Sequence, residues 1–161
     1  MNWQQVCESS ELQNLPYKIE LNHQGQIIMS PASVKHVLFQ GKIIELLNSC
    51  KIKGLVVPEF PVATKEGVKV ADVALLTEEQ ILLVAEHIAS SVAPLVCIEV
   101  LSPSNTLIEM EHKKILYFTQ GAKEFWLCDS TGVMSFYDNQ GQLERSNLVV
   151  DFPLTLELVK N

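Results

Sequence analysis

Two carboxylates stand inside runs of apolar residues that have the composition of buried strands. Asp72 lies in the run VADVALL, residues 70–76, and Glu99 lies in PLVCIEVLSPSN, residues 94–105. Burying an unpaired carboxylate is costly, or shifts its pKa until the group is neutral, so each acid needs a partner. The partner could be a cation of the chain, a cluster of hydrogen-bond donors or a metal ion.

A shared divalent cation is the partner with chemical consequences. Two carboxylates close together repel each other, so one is protonated or a cation lies between them. Oxygen ligands suit Mg²⁺ or Mn²⁺, which bind one or two carboxylates and keep several waters. A metal held in this way lowers the pKa of a bound water and stabilises charge on a phosphate, which is the chemistry of phosphodiester hydrolysis.

An amine can join the two acids from the helix that follows Glu99. Lys113 lies about two turns after the start of this helix, and a helix packed back over the strand brings its ammonium toward Glu99. There it would orient the attacking water or neutralise the phosphate. Spacing alone leaves a second interpretation open, in which Asp72, Glu99 and Lys113 form a structural ion-pair network without metal.

Strand-like runs alternate with helical runs along the chain, which predicts an α/β (mixed α+β) domain with a mixed central β-sheet flanked by helices. The strand of Glu99 is apolar on both faces and is therefore expected at the centre of the sheet. Pro58 and Pro61 predict that their strand is bent or lies at an edge, because proline cannot donate to a ladder. The expected strands are residues 17–21, 26–29, two runs within 54–76, 94–101, 124–130, 133–139 and a final run within 148–159.

Three helices are expected between these strands, each with its own start signal. Ser30 can cap the first helix, and Pro31 suits its first position. The other two helices begin with capping boxes, the pairs Thr77–Gln80 and Thr106–Glu109.

Composition limits the class of protein. With 161 residues, 47% hydrophobic and 19% charged, the chain matches one globular domain, residues 1–161. A net charge of −7 argues against broad, non-specific adhesion to nucleic acid. Four cysteines without a C-x-x-C pair favour reduced thiols over a zinc site. With no signal-peptide pattern and no run apolar enough to span a bilayer, we expect a cytoplasmic protein.

Four blocks of sequence together resemble a known family. In chain order they are MSPASVKH, VADVALL, PLVCIEVLSPSN and HKKILYFTQGAKEFWLCD. Their order and spacing are similar to those of the putative restriction endonuclease family within the PD-(D/E)XK nuclease superfamily, from about Tyr17 to Leu158. The most specific part is EVLSPS followed by Lys113, Tyr117, Gly121 and Trp126.

The resemblance implies a restriction-endonuclease-like core and a metal-dependent endonuclease. It implies that Asp72 and Glu99 are metal ligands, with the backbone carbonyl of Val100 as a further ligand, and that Lys113 is the catalytic lysine. The implied cofactor is Mg²⁺ or Mn²⁺, and the implied substrate is nucleic acid, namely DNA. A homodimer is a further expectation, because cutting both strands often takes two sites.

The chain departs from the superfamily motif at two positions. Ala71 stands where the motif has proline, which contributes no chemistry there. Leu101 stands where the motif has its lysine, so catalysis depends on Lys113 reaching the site from the helix. Lys114 is one position away, and an error in register would exchange the two lysines.

Three more residues are candidates for the cleft. His36 matches the helix histidine of the family and could line the cleft with Gln40, although a partly buried structural histidine fits equally well. Glu59 could add a third acid, or could face solvent from its strand. A catalytically inactive nuclease-fold module that binds nucleic acid or protein is the alternative function, favoured by a single arginine, Arg145, and a pI near 5.0.

Overall fold

The alternation of apolar and polar residues builds two sheets in this protein, a hairpin and a larger mixed sheet. The computed structural model describes residues 1–160. In chain order the elements are α1 (Trp3–Glu8), β1 (Tyr17–Leu21), β2 (Ile27–Pro31), α2 (Val34–Ser49), β3 (Leu55–Thr64), β4 (Gly67–Leu76), α3 (Glu78–Val84), β5 (Val96–Val100), α4 (Leu107–Thr119), β6 (Glu124–Cys128), β7 (Met134–Asp138) and β8 (Gly141–Leu143).

The larger sheet has six strands in the order β3-β4-β5-β6-β7-β8. Only β5 and β6 pair in parallel, and α4 makes the crossover that a parallel pair requires. Every residue of β5 is buried, so the strand that carries Glu99 lies inside the sheet as expected. The strand with Pro58 and Pro61, β3, lies at an edge. The predicted mixed α/β fold is confirmed.

Helices cover both faces of the sheet, and the two largest apolar clusters lie on opposite faces. On one face Phe39 and Ile43 of α2 pack against Ile98 and Trp126. On the other face Tyr117 of α4 packs in a second cluster with residues of β3 to β6 and of two loops, among them Cys97, Ala122 and Phe125. Alternation along β5 therefore sends its even-numbered side chains toward α2 and its odd-numbered ones, including Glu99, toward α4.

The small hairpin of β1 and β2 docks on β4 and brings charged residues to the larger sheet. Leu21 packs with Val6 of α1 and Val68 of β4. The approach is close at Gly67, where an added Cβ would lie 2.1 Å from the carbonyl oxygen of Leu21 and where φ is +91°. Glycine is needed there for both reasons, because a side chain would clash and would strain the backbone.

Three local predictions differ from the structure. Ser33, not Ser30, caps α2, because Ser30 and Pro31 pair with β1 in the hairpin. Helix α3 ends at Val84, whereas the run TEEQILLVAEHIASS predicted a helix within residues 77–91. Within the described residues 148–159 the structure has an isolated bridge at Thr155 where the apolar run predicted a strand.

The first helix, α1, was not predicted from the sequence, although a signal for it exists. Asn2 and Gln5 form a reciprocal capping box at its start. None of the helices within residues 1–160 is long and apolar enough to cross a membrane.

Candidate active site

The carboxylates of Asp72 and Glu99 meet at one cation, the ammonium of Lys18. Lys18 Nζ lies 2.9 Å from Asp72 Oδ1 and 3.1 Å from Glu99 Oε2. The two acids come together because β4 and β5 pair antiparallel, with Val73 opposite Ile98. Asp72 directly precedes Val73 on β4, and Glu99 directly follows Ile98 on β5, so the two acids lie side by side at this end of the strand pair. Both acidic side chains are almost completely buried.

Lys113 enters the same cluster from α4. Its Nζ lies 2.8 Å from Glu20 Oε1 and 3.4 Å from Glu99 Oε1. One turn later on the helix, the Tyr117 hydroxyl donates a hydrogen bond of 2.8 Å to Glu99 Oε1. Both side chains therefore hold Glu99 from the helix face that packs on β5.

Lys114, the neighbour that a shift of register would exchange with Lys113, lies elsewhere. Its Nζ pairs with Glu111 at 2.8 Å and lies 4.2 Å from the centre of the Tyr137 ring. The structure brings Lys113 to the acids and leaves Lys114 outside the cluster.

Two charged residues of the cluster, Lys18 and Glu20, were missed by the sequence analysis. They stand two positions apart on β1, which directs both side chains to one face of the strand. Glu20 Oε1 also accepts a hydrogen bond of 2.8 Å from the backbone N–H of Val70. The alternation was visible in the sequence, but only docking of the hairpin on β4 shows that this face meets Asp72 and Glu99.

The surroundings of Asp72 favour its ionised form. Burial opposes ionisation, but the Lys18 ammonium and the hydrogen bond from His36 outweigh it and hold the pKa of Asp72 well below its usual range. The backbone N–H of Val100 adds a hydrogen bond of 2.8 Å to Oδ2. Val100 thus lies beside Asp72 at the end of β5, with its side chain in the core on the α2 face.

Glu99 has a different proton affinity from Asp72. Burial raises the pKa of Glu99 to about 7, although the ammonium groups of Lys113 and Lys18 oppose the rise. Two adjacent carboxylates with separated pKa values can take different roles in acid–base chemistry near neutral pH.

The three further candidates line the same cavity as the acids. Gln40 Nε2 donates to Glu59 Oε1 at 2.8 Å and to the backbone carbonyl of Asp72 at 2.7 Å. His36 Nε2 lies 3.4 Å from Asp72 Oδ1, and this contact raises the pKa of His36. Glu59, at the rim, has a φ of 53°, a left-handed conformation that is uncommon for a residue with a side chain and is found often at functional sites.

The cavity has a volume of about 290 Å³ and opens between the hairpin, α2 and the turn after β5. Its lining is Tyr17, Lys18, Ser30, Pro31, Ala32, His36, Val37, Gln40, Glu59, Asp72, Glu99, Ser102, Asn105 and Lys113. In the part of the chain that the structure describes, no three His, Cys, Asp or Glu side chains are grouped as a metal site.

Comparison with protein families matches residues 3–159 to the model of the Uma2 family, whose description is "Putative restriction endonuclease". A solved structure of similar fold is that of a protein described as a putative nuclease belonging to DUF820 from Anabaena variabilis ATCC 29413. It has a TM-score of 0.69 and 18% sequence identity, and the match covers 98% of this chain and 95% of that chain. At this identity the likeness shows the fold. No curated protein matches this chain.

Proposed function

The chain belongs to the Uma2 family of putative restriction endonucleases, and from this membership we propose a metal-dependent endonuclease that hydrolyses phosphodiester bonds in DNA. One observation carries the proposal beyond the family description. Asp72, Glu99 and Lys113 come from three separate elements and converge on one cavity. Both acids contact the same cation there, the ammonium of Lys18. Side chains gathered in this way meet the first requirement of catalysis, which is fixed orientation of the reacting groups.

The donor set fits Mg²⁺ or Mn²⁺. Asp72 Oδ1 and Glu99 Oε2 already point at one cationic atom, and hard divalent ions accept two carboxylates, a carbonyl oxygen and waters. Asp72 and Glu99 would hold the ion, with the backbone carbonyl of Val100 as a further ligand. Such an ion, when bound, lowers the pKa of a water and stabilises charge on a phosphate.

The residues of the chain prepare this site in distinct ways. Asp72 stays ionised because its low pKa leaves it without a proton, and the Val100 N–H fixes its orientation. Tyr117 and Lys113 orient Glu99 from the helix side. In this proposal the Lys113 ammonium also orients the attacking water or neutralises a phosphate oxygen, since it is the amine on the α4 side of the acids.

A nicking assay with a matched pair of variants tests the proposal. Purified protein with Mg²⁺ or Mn²⁺ should nick plasmid or single-stranded DNA, and Lys113→Met should lower the rate at least about a hundredfold. Lys114→Met is the control, because the adjacent lysine pairs outside the cluster and its loss should leave the rate unchanged. Equal nicking by Lys113→Met and wild type would contradict the proposed site.

The alternative is a binding module that retains the fold without turnover. The acidic net charge and the single Arg145 favour it, because recognition of duplex DNA usually depends on arginine. Metal binding by calorimetry together with the absence of cleavage on varied DNA and RNA substrates would support this alternative and overturn the enzyme.

Two further features complete the proposal. We place the protein in the cytoplasm, because all four cysteines are free thiols in the structure and free thiols persist in a reducing compartment.

We also propose a homodimer, since two sites are needed to cut both strands of a duplex in one encounter. Sedimentation of the protein with and without a short duplex tests this, and a monomer in both conditions would contradict it.

A further inference from the structure

A second cavity continues the active-site cavity past Lys113. It has a volume of about 370 Å³, and both cavities are lined by Ser30, Asn105 and Lys113. The shared lining means that a chain-like ligand lying over the acids could extend into the second cavity without leaving the protein surface. The other residues of its lining are Glu20, Ile28, Met29, Lys69, Ser104, Glu109 and His112.

Lys69 is a buried ammonium without a carboxylate partner. Only 8% of the residue is exposed, and its Nζ makes one long hydrogen bond, of 3.4 Å, to the backbone carbonyl of Leu21. Among residues 1–160 no acidic oxygen forms an ion pair with it, whereas Lys18 and Lys113 each contact two or more carboxylates. Burying a charge in this way is unfavourable unless a counter-ion compensates it.

The two acids that line this cavity with Lys69 are engaged by other groups. Glu20 Oε1 holds Lys113 Nζ and the Val70 N–H. The Glu109 carboxylate accepts from the Asn105 side chain and from the backbone N–H of Thr106 at the start of α4. These contacts leave the Lys69 ammonium as a cation on the cavity wall that an external anion could pair with.

The remaining lining suits the oxygen atoms of a phosphate. Ser30 and Ser104 carry hydroxyl groups, and His112 lies at the rim, where it pairs with Glu66. Phosphate contacts in proteins are made by ammonium groups together with hydroxyl and amide donors of this kind. Besides Lys113, which the acids already hold, the cavity therefore offers one charged donor, Lys69, and several neutral ones within reach of the acid cluster.

We propose that the second cavity binds the backbone phosphate adjacent to the scissile phosphate, with the Lys69 ammonium as its counter-ion. The inference rests on the proposed function and deepens it. A site that holds two successive phosphates takes its substrate from within a strand, because a mononucleotide or a terminal phosphate alone fills only one cavity. The substrate class is thus a phosphodiester inside a nucleic-acid strand.

Binding of a fluorescein-labelled oligothymidylate by anisotropy tests the proposal, with Ca²⁺ as a non-catalytic ion. Lys69→Met should weaken binding about tenfold and reduce the slope of log K against log salt by about one. Lys69→Arg should retain most of the affinity because it keeps the charge. Lys65→Met is the matched control, since Lys65 is exposed in the turn between β3 and β4, the strand that carries Lys69, and should change little.

Chemical substitution of the strand gives a second arm that does not depend on any variant folding well. One methylphosphonate placed next to the scissile linkage removes a single charge and should weaken wild-type binding by the same factor. The same oligonucleotide should bind Lys69→Met no more weakly than the unmodified one does. Equal losses in both proteins would overturn the assignment of this phosphate to Lys69.

The outcomes also separate this inference from the proposed function. If wild type binds and cuts DNA while Lys69→Met does so with unchanged affinity and salt slope, only the second site is overturned. If wild type neither binds nor cuts any strand, the proposed function fails.

Inorganic phosphate is the competing source of the same chemistry. Thermal stabilisation of wild type by inorganic phosphate, with no effect of the methylphosphonate, would show a free-anion site and overturn the strand site.

Discussion

Glu99 on β5 and Glu124 on β6 are buried carboxylates on adjacent strands, and they are satisfied in opposite ways. Glu99 contacts two ammonium groups, those of Lys18 and Lys113, besides the Tyr117 hydroxyl. Glu124 is surrounded by neutral donors only. They are Trp126 Nε1 at 2.7 Å, Ser146 Oγ at 2.6 Å and the backbone N–H groups of Asn147 and Leu148 at 2.8 and 3.2 Å.

The partners of the two acids distinguish a structural carboxylate from a candidate functional one. The donors around Glu124 belong to the backbone, to a core tryptophan and to the buried Ser146, so they cannot leave without local unfolding. They fix the segment after β8 against the sheet. The cations around Glu99 sit on flexible side chains that face a cavity, and another cation could replace them. Burial alone, which both acids share, does not separate these cases.

The largest effect expected from this comparison is on catalysis. Glu99→Gln should lower nicking at least about a thousandfold, because the amide is a poor ligand for a divalent ion. Its stability should change by no more than about 1 kcal/mol, since Lys18 keeps Asp72 and Lys113 keeps Glu20 as partners. Nicking rates and urea unfolding measure the two quantities. Retained activity would remove Glu99 from the proposed mechanism.

The matched substitution at the structural acid should give the reverse result. In Glu124→Gln an amide NH₂ replaces one acceptor oxygen and faces N–H or O–H donors, so about 2 kcal/mol of stability should be lost. Metal binding and the rate of nicking at low temperature should remain those of wild type. A stable Glu124→Gln protein would show that its donors find other acceptors.

Lys18→Met tests whether a metal ion can replace the cations around Glu99. The Lys18 ammonium contacts the two oxygens proposed to hold the metal, so ion and ammonium compete. Removing the ammonium should tighten Mn²⁺ binding about tenfold, ~1.4 kcal/mol, in a calorimetric titration. Lys53→Met, at an exposed position, is the control. Weaker binding by Lys18→Met would mean that the lysine supports the metal site instead of competing for it.

The last prediction concerns the pH dependence of stability without metal. The pKa of Glu99 is raised from 4.5 to about 7 in the folded state, so the folded protein binds more protons than the unfolded chain between these values. Stability should therefore fall as pH rises from about 4.5 to about 7, and Glu99→Gln should reduce this slope. Urea unfolding in a chelating buffer measures it, and an identical slope in the variant would contradict the raised pKa.

Much of the fold could be predicted from local patterns. The capping boxes at Thr77 and Thr106 begin α3 and α4 as expected. The apolar run around Glu99 is an inner strand, and Pro58 and Pro61 lie on an edge strand. Ser30 was misassigned as a helix cap, because a serine before an apolar helical run has the same appearance whether it caps the helix or ends a strand.

The residues of the candidate site could also be predicted only in part. Antiparallel pairing of β4 and β5 brings Asp72 and Glu99 together, and Lys113 approaches them from the helix as its spacing predicted. No local pattern predicted Lys18 or Glu20, whose partners lie far away along the sequence.

The type of each element and the direction of the side chains within it depend on residues a few positions apart, so local sequence patterns are enough to predict them. Which charges meet depends on how the elements dock. The hairpin brings Lys18 and Glu20 to the acids by docking on β4, and the energy of a buried ion pair depends on distance and desolvation in the assembled fold. The same long-range docking leaves Lys69 buried without an acidic partner.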